Sequence, residues 1–310
     1  MIQLVEYFSL SGLVEGRSRF GSIQEWISNN RFSSVRIEDG AWVLAAYDHR
    51  ELARSAGGDF ERFLFSAIET RRTADLERLN LPVRAWPLLK TYYSGFFAAH
   101  SISSSTGRGV IYLRRNARDA INDFITAIGS TAKPIDGGSY KYWISRSGVE
   151  YDLVLAPASL GSGVHDMFWR SFSDTFSELA AEYLDANLPD SREVFAETSH
   201  LVDAILENRR SNAWISRIRN EINYEHRHHA WLPTKRSDPI RRLSEDDFKG
   251  FSTFQLETGG PNEELEKFQY VSRYLGKVAE TVAENFVELV GGNASFSRRY
   301  ARLKQLLQTV

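Results

Sequence analysis

An arginine, two asparagines and a histidine share one short stretch of this chain: Arg219, Asn220, Asn223 and His226, in RNEINYEH. Read as a helix running through His226, the step from Arg219 to the histidine turns through about 700°, so both side chains share a face. Asn223 lies one turn from Arg219 on that stripe, and Asn220 is angled to one side. An imidazole with a pKa near neutrality can move a proton at pH 7. A guanidinium can neutralise a pentacoordinate phosphorane through two parallel hydrogen bonds. An amide can hold a phosphate oxygen or a ribose 2′-OH without titrating. Together these groups suit metal-independent RNA cleavage, in which the substrate's own 2′-OH attacks the phosphorus and the product keeps a 2′,3′-cyclic phosphate. DNA has no such nucleophile. Arg219, Asn220, Asn223 and His226 are therefore the candidate site residues, and Asn223 and Tyr224 are placed by helical position to contact substrate.

Neighbouring residues allow other readings. His226, His228 and His229 form the run HRHH, and imidazole is the commonest metal ligand. On a helix His226 and His228 point about 200° apart, and Glu225 is the carboxylate within a turn of them, so no metal site is expected. Nor does the chemistry ask for a cofactor. From Arg209 to Arg242 nine basic residues face Glu221, Glu225 and Asp238. Of these, Arg217, Arg227, Arg241 and Arg242 are expected to meet substrate phosphates, although a solvated helix face and loop has the same composition. The remaining histidines, His49, His100, His165 and His200, occur singly and read as packed or surface residues. GxGxxG, phosphate-loop, Gly-x-Ser-x-Gly and HExxH patterns are absent.

The elements that must position these groups read mostly as helices. Ser33–Tyr47 is expected to form a short hairpin about Asp39-Gly40. A helix opens near Gly57 and Asp59, with Phe60, Phe63, Leu64 and Ile68 at helical spacing. WPLLKTYYSGFFAAHSI is a stronger one, and Val110–Ala127 also reads as a helix. KYWI and VEYDLVLA flank Ser145–Gly148 as a second hairpin. Further helices are expected from Ser162 or Gly163 to Asp185, after Pro189-Asp190-Ser191, from Ser211 or Asn212 through His226, over Glu263–Val290 and over Phe296–Leu307. Trp231–Gly260 reads as a long loop. The expected class is mainly α, a helical bundle with a small β-hairpin insertion near 139–156 and a β-containing N-terminal piece. The division is a mixed segment over 1–57 and a helical domain over 58–310, with 262–310 as its C-terminal extension.

RNEINYEH resembles the Arg-x4–6-His motif of the HEPN superfamily (higher eukaryote and prokaryote nucleotide-binding domains), with a polar residue directly after the arginine. LLKTYYSGFFAAHSI, Leu88–Ile102, resembles the aromatic and alanine-rich helix those domains carry upstream. The resemblance covers about Asp59–Gly109 and Gly163–His229. It implies a bundle that dimerises so that two motif helices face each other over RNA. It also implies an endoribonuclease, often a toxin or anti-phage defence effector with a regulatory or antitoxin protein partner. Arg219 and His226 would be catalytic and Asn220 supporting. Some members of that superfamily are inactive and serve as RNA- or nucleotide-binding or adaptor subunits.

Composition narrows the setting. The 310 residues carry a net charge of −2, so any hold on RNA must come from a local patch. Zero cysteines exclude disulfides, cysteine-ligated metals and thiol catalysis. The opening MIQLVEYFSLSG lacks the basic start and apolar block of a secretory signal, and no apolar run is long enough to span a bilayer. The expected location is the cytoplasm, away from any membrane.

Overall fold

The computed structural model describes residues 1–10, 13, 21–80, 84–147, 150–158, 163–206, 213–228, 230–231, 263–292 and 294–308. Among them the chain is mainly helical, with one small antiparallel sheet of five strands. Helices α1 (Ile2–Phe8) and α2 (Ile23–Ser28) precede a hairpin of β1 (Phe32–Glu38) and β2 (Ala41–Ala46). Asp39 (φ 48°) and Gly40 (φ 80°) make its turn. Two successive left-handed residues match the right-handed twist of a tight hairpin, which is why this Asp-Gly pair was legible.

Helix α3 (His49–Asn80) packs along α4 (Ala85–Ser105), and β3 (Arg108–Leu113) and α5 (Arg115–Ala127) follow. The second hairpin, β4 (Gly138–Ser147) and β5 (Glu150–Pro157), stands where the sequence placed it. Its strand β5 pairs with β2, as in Trp42 opposite Leu155. The sheet order is β1-β2-β5-β4-β3, so the two hairpins form one sheet.

Two expectations are corrected. Helix α3 begins at His49 and runs through Gly57 and Gly58, so it opens before the expected start near Gly57 and Asp59. A Cβ on Gly57 would stand 2.0 Å from the Leu13 carbonyl oxygen, and one on Gly58 would stand 2.6 Å from that of Gly21. The paired glycines let another chain segment cross α3 at backbone distance, a use that sequence alone cannot tell from a helix break. Val110–Ala127 is also not one helix. Val110, Ile111 and Tyr112 pair with β4, Ile111 opposite Tyr140, and the helix starts only at Arg115.

Helices α6 (Val164–Asp185) and α7 (Ser191–Leu206) pack against each other, and α6 buries the expected stripe of Phe168, Phe172, Phe176 and Leu179. Helix α8 (Trp214–Asn223) follows, and α9 (Glu263–Val290) and α10 (Ser295–Gln308) close the fold near their expected limits. Helix α9 lies against α4 at Gly95, where a Cβ would be 2.6 Å from Ser272 Cα. One apolar core runs from Met1 through α4, the sheet and α6 to Tyr300, joining the N-terminal elements to the helices. Among the described residues no helix is long and apolar enough to cross a membrane.

Candidate functional site: a buried arginine on helix α8

Helix α8 is buried on most of its circumference. Trp214, Ile215, Ile218 and Ile222 enter the core, and Ser216, Arg219 and Glu221 are buried with them. Its first turn is held from α6: the Ala213 N–H donates to Asp166 Oδ1, and Asp166 Oδ2 accepts from Arg170 Nε at 3.0 Å. The helix then stops sooner than its sequence suggests. Tyr224 N–H closes the last turn on the Asn220 carbonyl (2.8 Å), and His226 (φ 54°) and His228 (φ 61°) take left-handed backbone.

The carboxylate of Glu221 accounts for that stop. It accepts from Arg217 Nη1 at 2.7 Å and from His228 Nε2 at 2.8 Å, with Arg227 Nη1 at 3.8 Å, while the Arg227 N–H donates to the Glu221 carbonyl. The segment from His226 to His228 is thus folded back over the helix. Burial raises the Glu221 pKa, the Arg217 and His228 hydrogen bonds lower it, and the net direction is down. Beyond the turn, Trp231 Nε1 donates to the Ile222 carbonyl (2.5 Å), and the Ala230 carbonyl accepts from the Arg84 and Ala85 N–H groups at the start of α4.

Arg219 and His226 therefore do not share a helical face. His226 is exposed, with its ring 5.5 Å from the Trp231 ring. Arg219 is only 8% exposed, and its guanidinium points into α4. Nη2 donates to the Tyr93 hydroxyl; Nη1 donates to Asn220 Oδ1 at 2.8 Å and to the Tyr224 hydroxyl at 3.4 Å. The charge also lies over two rings, 5.5 Å from the centroid of Tyr93 and 5.2 Å from that of Tyr224. Among the described residues no carboxylate pairs with Arg219, and its Nε is buried without a partner. Burial works against the charge, but the phenols of Tyr93 and Tyr224 outweigh it and keep the guanidinium protonated.

The imidazole next to this cluster is His165 of α6. Its ring meets Tyr93 edge-on at 5.7 Å, and its Nδ1 is 3.0 Å from the Tyr92 hydroxyl, which also accepts from Trp169 Nε1 at 3.0 Å. Burial first, and then the Arg219 charge, lower the His165 pKa to about 4, so the ring is neutral at pH 7. Sequence reasoning passed over Tyr92, Tyr93 and His165. The Tyr-Tyr pair was visible in the aromatic helix, but its contact with Arg219 joins segments 126 residues apart.

The other candidates separate. Asn220 is exposed and holds the guanidinium; Asn223 is half-buried in the last turn; Tyr224 is 68% exposed and roofs Arg219. Arg217 is tied to Glu221 and Glu264, and Arg227 to Glu225 (2.9 Å), so both are engaged in ion pairs within the chain, where phosphate contacts were expected. Arg241, Arg242 and nearly all of the Trp231–Gly260 loop lie outside the described residues. Among the described residues no group of three or more His, Asp or Glu side chains is arranged to hold a metal ion.

No family model matches this chain, and no curated protein or solved structure matches it.

Proposed function

We propose that this protein is a metal-independent endoribonuclease of the HEPN kind, with Arg219 binding the scissile phosphate and His226 moving the proton. The reading rests on one observation: a buried guanidinium with no carboxylate among the described residues and an Nε with no acceptor. Such a charge is incompletely compensated, which favours an anion such as a phosphate as its partner. The 2′-OH attacks phosphorus, its proton passes to one imidazole, the P–O5′ bond breaks, and the leaving 5′ oxygen takes a proton from the imidazolium of the second copy. Tyr224 and His226, exposed at the open end of α8, form the face that a second copy would meet. A homodimer therefore supplies the two-histidine arrangement that the resemblance implies, and a nuclease of this sort in a toxin or defence setting calls for a regulatory or antitoxin partner.

The test is cleavage of RNA by the purified protein in EDTA, beside Arg219→Ala and His226→Ala, with the 3′ ends assayed for cyclic phosphate. Products lost in both variants support the reading; products that persist in either remove that residue from the chemistry. A monomer in sedimentation at micromolar concentration would overturn the two-copy site.

A second reading is favoured by the separation of Arg219 from His226 within one chain. There the Arg219 cluster grips RNA phosphate without cutting, as a binding subunit. Arg219-dependent RNA retention with no product under any condition selects it.

A further inference from the structure

A second polar site, away from Arg219, lies between α2, α3, α4 and β3. It is a cleft of about 370 Å³, near the lower end of the range for small-molecule pockets. No residue of the Arg219 cluster lines it.

The floor of this cleft is polar and neutral. His100 of α4 is stacked between Phe63 (4.6 Å, 22°) and Phe168 (3.7 Å, 18°), and Phe96 meets it edge-on at 4.7 Å. Both ring faces are taken, which leaves the ring edge for polar contacts. Among the described residues neither ring nitrogen has a hydrogen-bond partner. Burial first, then the charge of Arg62, lower its pKa to about 3, so it offers one donor and one acceptor at any physiological pH. Beside it, Ser104 Oγ and Tyr142 Oη stand 3.5 Å apart, and burial raises the Tyr142 pKa so that its hydroxyl stays protonated. Gly109 makes room for that ring, since a Cβ there would come within 2.9 Å of Tyr142.

At the mouth the charges divide into those already used and one that is not. Asp59 accepts from the Ile23 N–H (3.0 Å) and from Arg62 Nη2 (2.5 Å), and Glu25 accepts from the Gly21 N–H (2.8 Å), so these carboxylates hold α2 in place. Arg114 is exposed, and among the described residues its guanidinium has no acidic partner. Tyr112 of β3, two residues earlier in the chain, is 63% exposed and lines the same cleft. We propose that this cleft binds a small molecule built from a flat hydrogen-bonding ring and one anionic group. The ring's polar edge meets His100, Ser104 and Tyr142, its face rests against Tyr112, and its carboxylate or phosphate pairs with Arg114.

Calorimetric titration of the full chain with adenosine monophosphate, nicotinate, adenosine and inorganic phosphate tests this. At least one of the two ring anions should bind at least tenfold more tightly than adenosine or phosphate alone, and the two distinguish phosphate from carboxylate. Arg114→Glu should weaken that binding at least tenfold, and Ser104→Ala several-fold, each with an unchanged unfolding midpoint. Heat from neither ring anion overturns the proposal. So does phosphate alone binding as tightly as a ring anion, or Arg114→Glu leaving affinity intact. RNA cleavage is not read in this experiment, so its failure is separate from failure of the nuclease reading.

Discussion

The Arg219 guanidinium hydrogen-bonds the Tyr93 hydroxyl and lies 5.5 Å from the centroid of the same ring. A phenol thus occupies the place where a buried arginine usually has a carboxylate. The charge is held by dipoles and ring faces, which leave it net positive and able to attract an anion. A paired arginine would be electrostatically silent.

This arrangement separates two substitutions. Arg219→Ala removes the charge and leaves neutral phenols, so it should lower stability by only about 1–2 kcal/mol while abolishing RNA binding or cleavage. Tyr93→Phe leaves the buried charge with one acceptor fewer and should cost about 1–3 kcal/mol. Urea denaturation of both variants measures this. A larger loss for Arg219→Ala than for Tyr93→Phe would indicate a structural role for the arginine.

Glu221 gives the folded-back turn from His226 to His228 an acid-sensitive anchor. Its folded pKa is depressed, so its contribution to stability is present above the unfolded value near 4.5 and is lost as pH falls through the folded value. Glu221→Gln should therefore cost about 1 kcal/mol at pH 7, with the gap to wild type closing below pH 4. A gap that is constant across that range would show that shape rather than charge holds the turn.

His100 and His165 impose the same direction of pH dependence by a different route. Their folded pKa values, about 3 and about 4, lie below the ordinary 6.5. Both are neutral in the fold, so their stabilising effect is complete above pH 6.5 and falls as the unfolded chain takes up protons below it. Each should subtract about 2 kcal/mol between pH 7 and pH 5. His100→Phe preserves the stack on Phe63 and Phe168 and should remove about half of that decline in urea midpoints. An unchanged decline would place the titration elsewhere.

Helices α4 and α9 touch at backbone level through Gly95. A methyl group there would stand 2.6 Å from Ser272 Cα and 2.7 Å from its Cβ, atoms that cannot move aside without shifting α9. Gly95→Ala gains helix propensity yet should destabilise by about 1–3 kcal/mol, because overpacking outweighs the propensity gain. Thermal unfolding decides the sign.

Most elements were legible because their signals are local. Asp39-Gly40 marked a tight turn, Phe168, Phe172, Phe176 and Leu179 recurred at helical spacing, and Gly291-Gly292 separated the last two helices. The failures share a cause as well. Gly57-Gly58 read as a break because a glycine pair lowers helix propensity, and only the crossing backbone of Leu13 and Gly21 explains it inside α3. Val110–Leu113 read as helix because strand pairing with Tyr140 is remote in sequence.

The amino-acid sequence by itself determined the mainly helical class, both hairpins and the candidacy of Arg219, since turn chemistry and apolar periodicity act within a few residues. Tertiary structure alone decided which groups meet Arg219. Glu221 recruits Arg217 and His228, so the helix ends and His226 leaves its face, while Tyr93 from α4 and His165 from α6 reach the site from 126 residues away and from another helix. Side-chain charge and burial are balanced between segments distant in sequence, and helical spacing carries no information about that balance.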